Sequence, residues 1–252
     1  MYEEEMNEYI NILLNKPEGK PGRDYLNSRG ITKDTAIFWK LGYCPVGYKP
    51  RCYSNEQFPF WLKMHGGLTI PIFDANGNLV SISRRRVIEI KNRQKNPKYD
   101  HYVFGARSTL FGLYQNKSRI FLDNKGIITE GQLDVISAWQ KGIKTVVSSF
   151  GAHAGKAHLI NLSRYTENIF IVYDNDDAGQ KGINGALKAA RELKIKIKIK
   201  KPFAEGVDLD QWVKCHTKDE FYNILEYDKN KFIENKIEKL VQERGILNEQ
   251  NR

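Results

Sequence analysis

From Gly126 onward the chain alternates strand and helix signals almost without a break. Apolar strand runs cover 126–130, 144–150, 168–174 and 194–200, and helical stretches over 132–141, 155–164 and 178–192 separate them. Strands joined through helices pair side by side in parallel, with crossovers over the sheet face. This half is therefore predicted to be α/β around a central parallel sheet. In such sheets chemistry collects beyond the carboxyl ends of the strands. Four acids are read there: Glu130 in GIITEGQLDV, Asp174 and Asp176 in NIFIVYDNDDAG, and Asp208 in EGVDLDQW. Clustered carboxylates without a counter-cation are costly, and oxygen ligands suit hard divalent ions. The expectation is a cage for Mg2+ or Mn2+.

Local spacing refines the cage. Gly131 lets the backbone turn from strand into helix, and Asp134 follows Glu130 by four residues, so both carboxylates can face one cavity. Asp134 can equally complement the helix N-terminus. Asp174 and Asp176 flank Asn175 and point to one side in an extended loop, while Asp176 or Asp177 can cap the next helix. An EF-hand would need an oxygen ligand at Ala178 and glutamate at Gly185, and a DxDxT nucleophile would need threonine at Ala178. Neither reading fits.

The remainder is organised differently. Residues 1–15 read as a polar helix, and 23–42 as two short helices broken at Arg29-Gly30 with Thr32 as N-cap. LTIPIF, the turn DANGN and LVSISRRRVI then read as a hairpin. The last strand, LKIKIKIK, sets Leu193, Ile195, Ile197 and Ile199 on one face and lysines on the other, as suits a protected sheet edge. From Asp219 to Arg252 one or two charged helices are expected, with Ile224, Leu225, Phe232, Ile233, Ile237 and Leu240 on an apolar stripe. Three regions follow: a basic α+β subdomain over 1–117, the acidic α/β domain over 118–215 and a helical tail over 216–252.

Charge points to the partner. The formal net charge is +10, and between Ser81 and Arg119 ten Lys or Arg stand against Glu89 and Asp100. A basic stretch beside an acidic cage suggests a polyanion such as nucleic acid, with Arg84, Arg85, Arg86 and Lys98 along its path. Cys44, Cys52 and Cys215 match no zinc or disulfide spacing, and histidines 65, 101, 153, 158 and 216 no ligand spacing. No run approaches eighteen apolar residues. A cytoplasmic protein with no membrane partner is expected. Tyr43, Tyr48, Tyr53, Phe58, Phe60 and Trp61 could stack on bases, although core positions suit them better.

GIITEGQLDV, SSFGA, YDNDDAG and GVDLDQW resemble the Toprim fold of topoisomerases, primases, RecR-like repair proteins and some nucleases. In order, YLNSRGIT with LGYCP, LTIPIFDANGNLVSISRRRV, NPKYDHY and LFGLYQ resemble the RNA polymerase core of bacterial-type DNA primases, from about Asp24 to Val213. The resemblance implies metal binding by Glu130, Asp174, Asp176 and Asp208, with Asp134 and Asp210 as supporting acids. It implies catalysis through Glu130, Asp174 and Asp176, and phosphate contacts by Arg86 and Lys98. Where primases carry lysine in KGRxLYGL, this chain has Ala106, with Arg107 one step on as the substitute cation. The implied activity is synthesis of short RNA primers from ribonucleoside triphosphates on single-stranded DNA by two-metal nucleotidyl transfer. A Toprim nuclease and a non-catalytic replication accessory protein are the alternatives; a topoisomerase would need a much longer chain. With no zinc cluster or room for helicase docking after Val213, a replicative helicase and a separate zinc-bearing template-recognition protein are expected as partners, as in a phage or mobile element with split genes.

Overall fold

A computed structural model describes residues 2–48, 66–87, 98–101, 108–151, 153–200 and 207–226. The chain divides into two compact units, residues 1–215 and 216–252. Within the first, two four-stranded sheets are present.

The N-terminal sheet is antiparallel, in the order β1 (Gly42–Cys44), β2 (Gly67–Phe73), β3 (Leu79–Arg85) and β4 (Tyr99–His101). Helix α1 (Tyr2–Asn15) packs across it through buried Tyr9, Ile12 and Leu13, an i, i+3, i+4 face. The approach to β1 is so close that a Cβ on Gly42 would lie 2.6 Å from Tyr9. Helices α2 (Lys20–Ser28) and α3 (Lys33–Phe38) part at Arg29-Gly30, where Gly30 takes φ +72, and the Thr32 hydroxyl accepts the Thr35 N–H at 3.2 Å. Break and cap thus fall where the sequence predicts them. Asp74 closes the β2–β3 hairpin: its Oδ1 accepts the N–H groups of Asn76 and Asn78 at 2.8 and 2.9 Å, and Gly77 supplies φ +96.

The second sheet is parallel, in the order β6 (Val146–Ser148), β5 (Gly126–Thr129), β7 (Ile169–Ile171) and β8 (Ile197–Ile199). Helices α5 (Gln132–Gln140), α6 (Lys156–Ser163) and α7 (Asp177–Leu193) connect the strands. The core of this half includes Ile128, Val147, Leu159, Ile171, Ile183 and Ala186. β8 is an edge strand as expected, its isoleucines half-buried and Lys198 exposed. Because β5 sends its chain to β6 on one side while β7 sends its own to β8 on the other, the order reverses between β5 and β7. A crevice opens at such a reversal.

Helix α4 (Leu113–Leu122) joins the two sheets. Lys117 Nζ donates to the Ala75 carbonyl of the hairpin at 2.7 Å, and the Tyr114 ring lies against Phe73. From the same helix Asn116 Nδ2 donates to the Val146 carbonyl at 2.8 Å, and just before it Phe111 pairs with Ser148 of β6. The border expected between residues 117 and 118 therefore runs through a helix bound to both sheets. Helix α8 (Leu209–Cys215) closes the first unit against α5. Of the expected tail, Lys218–Glu226 forms α9, and the positions from 227 lie outside the described residues. No helix among the described residues is long and apolar enough to cross a membrane.

Candidate active site

The crevice between β5 and β7 opens into a cavity of about 240 Å³ whose lining carries both signs of charge. Glu130, Asp134, Asp174 and Asp208 line it together with Arg29, Arg85, Lys98 and Tyr99. Gln132, Phe150 and Gly151 complete the lining, with Gly131 and Leu133.

Glu130 follows the last residue of β5. Its carbonyl is fixed by the Ser148 hydroxyl at 2.6 Å and the Gly151 N–H at 2.8 Å, while Oε1 accepts the Asp174 N–H at 3.1 Å. Asp174 lies three residues beyond β7 and is held from behind by α7. A Cβ on Gly179 would stand 2.1 Å from the Asp174 carbonyl oxygen and 3.2 Å from Glu130 Oε1, so only glycine lets the helix approach. Asp134 Oδ2 accepts the Gly131 N–H at 2.9 Å, an intrahelical cap that still leaves the carboxylate on the cavity wall.

These acids strain against one another. Burial, then Asp174, pushes the Glu130 carboxyl up to about 7. Burial, with Asp208 and Asp174 nearby, takes Asp134 to about 7 as well. Asp174 rises to about 6, through burial followed by Asp208 and Asp176, with Lys98 pulling the other way. Three carboxyls that resist ionisation in a shared cavity supply oxygen donors of the kind a hard divalent cation takes. The acids ring the cavity instead of converging: among the described residues no three His, Cys, Asp or Glu side chains are gathered tightly enough to hold a metal ion.

Two expected acids are not among the residues that line the cavity. Asp176 is the N-cap of α7, its Oδ1 accepting the Gly179 N–H at 2.7 Å, and it is not among the cavity-lining residues. Asp210 also lies off the lining, its side chain 1% exposed within α8. Arg29 Nη1 reaches Asp210 Oδ2 at 2.8 Å, Lys214 Nζ the same oxygen at 3.2 Å, and the Ser137 hydroxyl donates to Oδ1 at 2.5 Å. Burial alone would raise its pKa; Ser137, Arg29 and Lys214 outweigh that and hold it below the ordinary range. Residues 201–206, which lead to Asp208, lie outside the described residues. Asp208 precedes α8 and accepts the Gln211 N–H at 2.8 Å, lining the cavity from a helix N-terminus.

The arginine triplet divides, because successive side chains in a strand point to opposite faces. Ser83, whose hydroxyl donates to Gln132 Oε1 at 2.9 Å, and Arg85 face the cavity side. Arg84 faces the other way and is fully buried. Its charge is felt by Cys44 of β1, whose thiol burial pushes up to about 12 against that influence. All three arginines are buried, at 0%, 4% and 7% exposure, and of the three only Arg85 lines the cavity. Arg86 is buried at the strand end, its N–H donating to the Lys98 carbonyl at 3.1 Å. Arg107 and residues 88–97 lie outside the described residues.

Arg85 is held between two phenols. Its guanidinium stands 5.4 Å from the Tyr25 ring centroid and 4.9 Å from that of Tyr99, and it donates to both hydroxyls. Cation–π contact and paired hydrogen bonds fix its direction. Lys98 is held below its usual range by burial of its amine end, then by Arg85 and Arg29, against the pull of Asp134 and Asp208. Arg29, Tyr25, Tyr99, Gln132 and Phe150 were not singled out from the sequence. The Arg29-Gly30 helix break was the one local signal. Of the aromatic stacking candidates, Tyr43 is core and Tyr48 leans on Tyr9 and donates to Glu8, while Tyr53, Phe58, Phe60 and Trp61 lie outside the described residues.

Comparison with known proteins agrees with this architecture. Residues 127–213 match the Toprim-like family. The chain is 27% identical over 244 residues to a DNA primase of Enterococcus faecalis, covering 87% of this chain and 39% of that one. It is 28% identical over 238 residues to the DNA primase of Aquifex aeolicus, covering 86% and 46%. It thus spans less than half the length of these curated relatives. A solved DnaG catalytic core superposes with a TM-score of 0.74 at 23% identity, over 89% of this chain and 77% of that one. The zinc-binding and RNA polymerase domains of the Aquifex aeolicus primase superpose at 0.68 and 26% identity, over 87% and 59%. The protein is a Toprim-fold protein. More narrowly, its fold is that of the catalytic core of bacterial-type DNA primases, and its relatives are DNA primases.

Proposed function

We propose that the chain joins ribonucleotides into short primers on a single-stranded DNA template. The observation that carries this reading is the mixed lining of one small cavity, where carboxylates with raised pKa values stand together with Arg29, Arg85 and Lys98. A triphosphate carried with a divalent cation presents charges complementary to that mixed lining. In support, one solved DnaG primase catalytic domain of this fold is described as bound to single-stranded DNA.

Glu130, Asp174 and Asp208 would hold Mg2+ or Mn2+, with Asp134 beside them and Asp176 close enough to act on Glu130 and Asp174. Such an ion supplies Lewis-acid polarisation of the attacking hydroxyl and neutralises charge on the leaving pyrophosphate. The chain's own groups do the rest. Arg85, aimed by Tyr25 and Tyr99, presents a planar fork to phosphate oxygens, and Lys98 adds a point charge. The Gly131–Asp134 cap and the Glu130–Asp174 bond keep the carboxylates in place before substrate arrives.

Incubating the purified chain with single-stranded DNA, labelled ribonucleotides and Mn2+ tests this. Cation-dependent RNA products of short length are expected. Degraded DNA would indicate a Toprim nuclease, and binding alone an accessory protein.

A further inference from the structure

We propose that Asp210 is a positioning residue that holds Arg29 at the cavity, and not a ligand of the cation. The inference rests on reading the cavity as a nucleotidyl-transfer site. The carboxylate is buried, and both its oxygens are engaged: Oδ2 by Arg29 at 2.8 Å and Lys214 at 3.2 Å, Oδ1 by Ser137 at 2.5 Å. Asp208, two residues earlier, lines the cavity; Asp210 does not.

Arg29 is gripped twice by α5. Gln140 takes the turn after it, donating through Nε2 to the Gly30 carbonyl at 2.8 Å and accepting the Thr32 N–H at 2.9 Å. Ser137, three residues earlier on the same helix, anchors the carboxylate that holds the Arg29 side chain. A long cation that would otherwise lose rotamer freedom on binding is already ordered. Its bond to Asp210 uses Nη1, and a guanidinium carries five N–H donors, so the same group can still meet a phosphate. Because the brace joins α2, α5 and α8, it couples the helix break at Gly30 to the cavity that Arg29 lines.

The test compares Asp210→Asn, Arg29→Ala and the double variant with Asp174→Asn in three measurements: Mn2+ affinity by electron paramagnetic resonance, direct binding of Mn2+–ribonucleoside triphosphate, and the split between KM and kcat. Asp210→Asn is expected to leave Mn2+ affinity within about twofold and to weaken triphosphate binding by about tenfold, mainly through KM, as loss of a charge-assisted bond implies. In the Arg29→Ala background it should add nothing. Loss of Mn2+ affinity comparable to Asp174→Asn would make Asp210 a ligand and overturn the proposal. An unchanged triphosphate affinity, or an equal loss without Arg29, would overturn it as well. If Asp210→Asn does not fold, Ser137→Ala should give a smaller shift of the same kind that likewise vanishes without Arg29, and its persistence there would count against the proposal. Should the wild-type chain bind Mn2+ and triphosphate yet incorporate no nucleotide, the primase reading fails, while the two binding measurements still judge Asp210.

Discussion

In the antiparallel sheet the cavity-facing groups stand within strands, Arg85 on β3 and Tyr99 on β4, whereas in the parallel sheet they stand beyond strand ends, at Glu130 and Asp174. A residue within a strand has its direction set by the pleat, so one step in sequence reverses it; Arg84 is buried against the far face while Arg85 reaches the cavity. A residue beyond a strand end has its place set by topology, here by the reversal of strand order between β5 and β7. The two sheets thus deliver opposite charges to one cavity by different rules.

The most severe test of this contrast is at the strand tips. Asp174→Asn should lower nucleotide incorporation by about 10²-fold or more with the melting temperature kept or raised, since it removes a carboxyl that burial and its neighbours disfavour in the ionised form. Retained activity would remove Asp174 from the reaction. Gly179→Ala should approach the same loss without touching a charge, because the added methyl would have to displace the Asp174 carbonyl. Restoration of activity by high Mn2+ alone would show that the displacement is tolerated.

Within the antiparallel sheet the effects should separate by face. Arg85→Ala is expected to weaken single-stranded DNA or triphosphate binding and to flatten the salt dependence by about one unit of log slope. Arg84→Ala should instead cost about 1–3 kcal/mol of stability, by the disruption of a buried polar site, with the salt slope unchanged. Equal slopes for the two variants would mean that the pleat does not sort their functions.

A smaller effect is expected from pH. Glu130 and Asp134 titrate near 7 and Asp174 near 6, above the ordinary carboxylate value of about 4. Groups raised in this way favour the folded chain when protonated. Their contribution is complete below about pH 4 and is lost as pH rises through 6 to 7. In chelator the melting temperature should therefore fall by a few degrees over that range, and saturating Mn2+ should reduce the fall. A melting temperature that rises with pH in chelator would contradict the crowding of these acids. Least of all should Lys198→Gln at the exposed edge of β8 matter, within about 0.5 kcal/mol.

Much of this was legible because it is local. The helix break at Arg29-Gly30, the Thr32 cap, the Asn76-Gly77 hairpin and the alternation from Gly126 each depend on neighbours within a few residues. What escaped depends on distant partners. Asp210 meets Arg29 across 181 positions, and Ser83 meets Gln132 across 49. Tyr25, Tyr99 and Arg85 come together only when α2 lies against β3 and β4. From the sequence Asp208 is expected at a strand tip, in EGVDLDQW. In the folded chain it begins a helix, since its side chain satisfies the Gln211 N–H.

Helix α4 carries a consequence for how the molecule comes apart. Ten residues bind the Ala75 turn on one side and Val146 on the other, with Phe111 paired to Ser148 just ahead of them. Loosening either sheet withdraws partners from the same short segment, so residues 1–215 should melt in a single calorimetric transition, and amide protons of β2 and β5 should exchange at similar opening free energies. Chains cut at residue 117 would begin or end inside that shared segment, and neither fragment would retain the set of anchors that makes the helix worth forming.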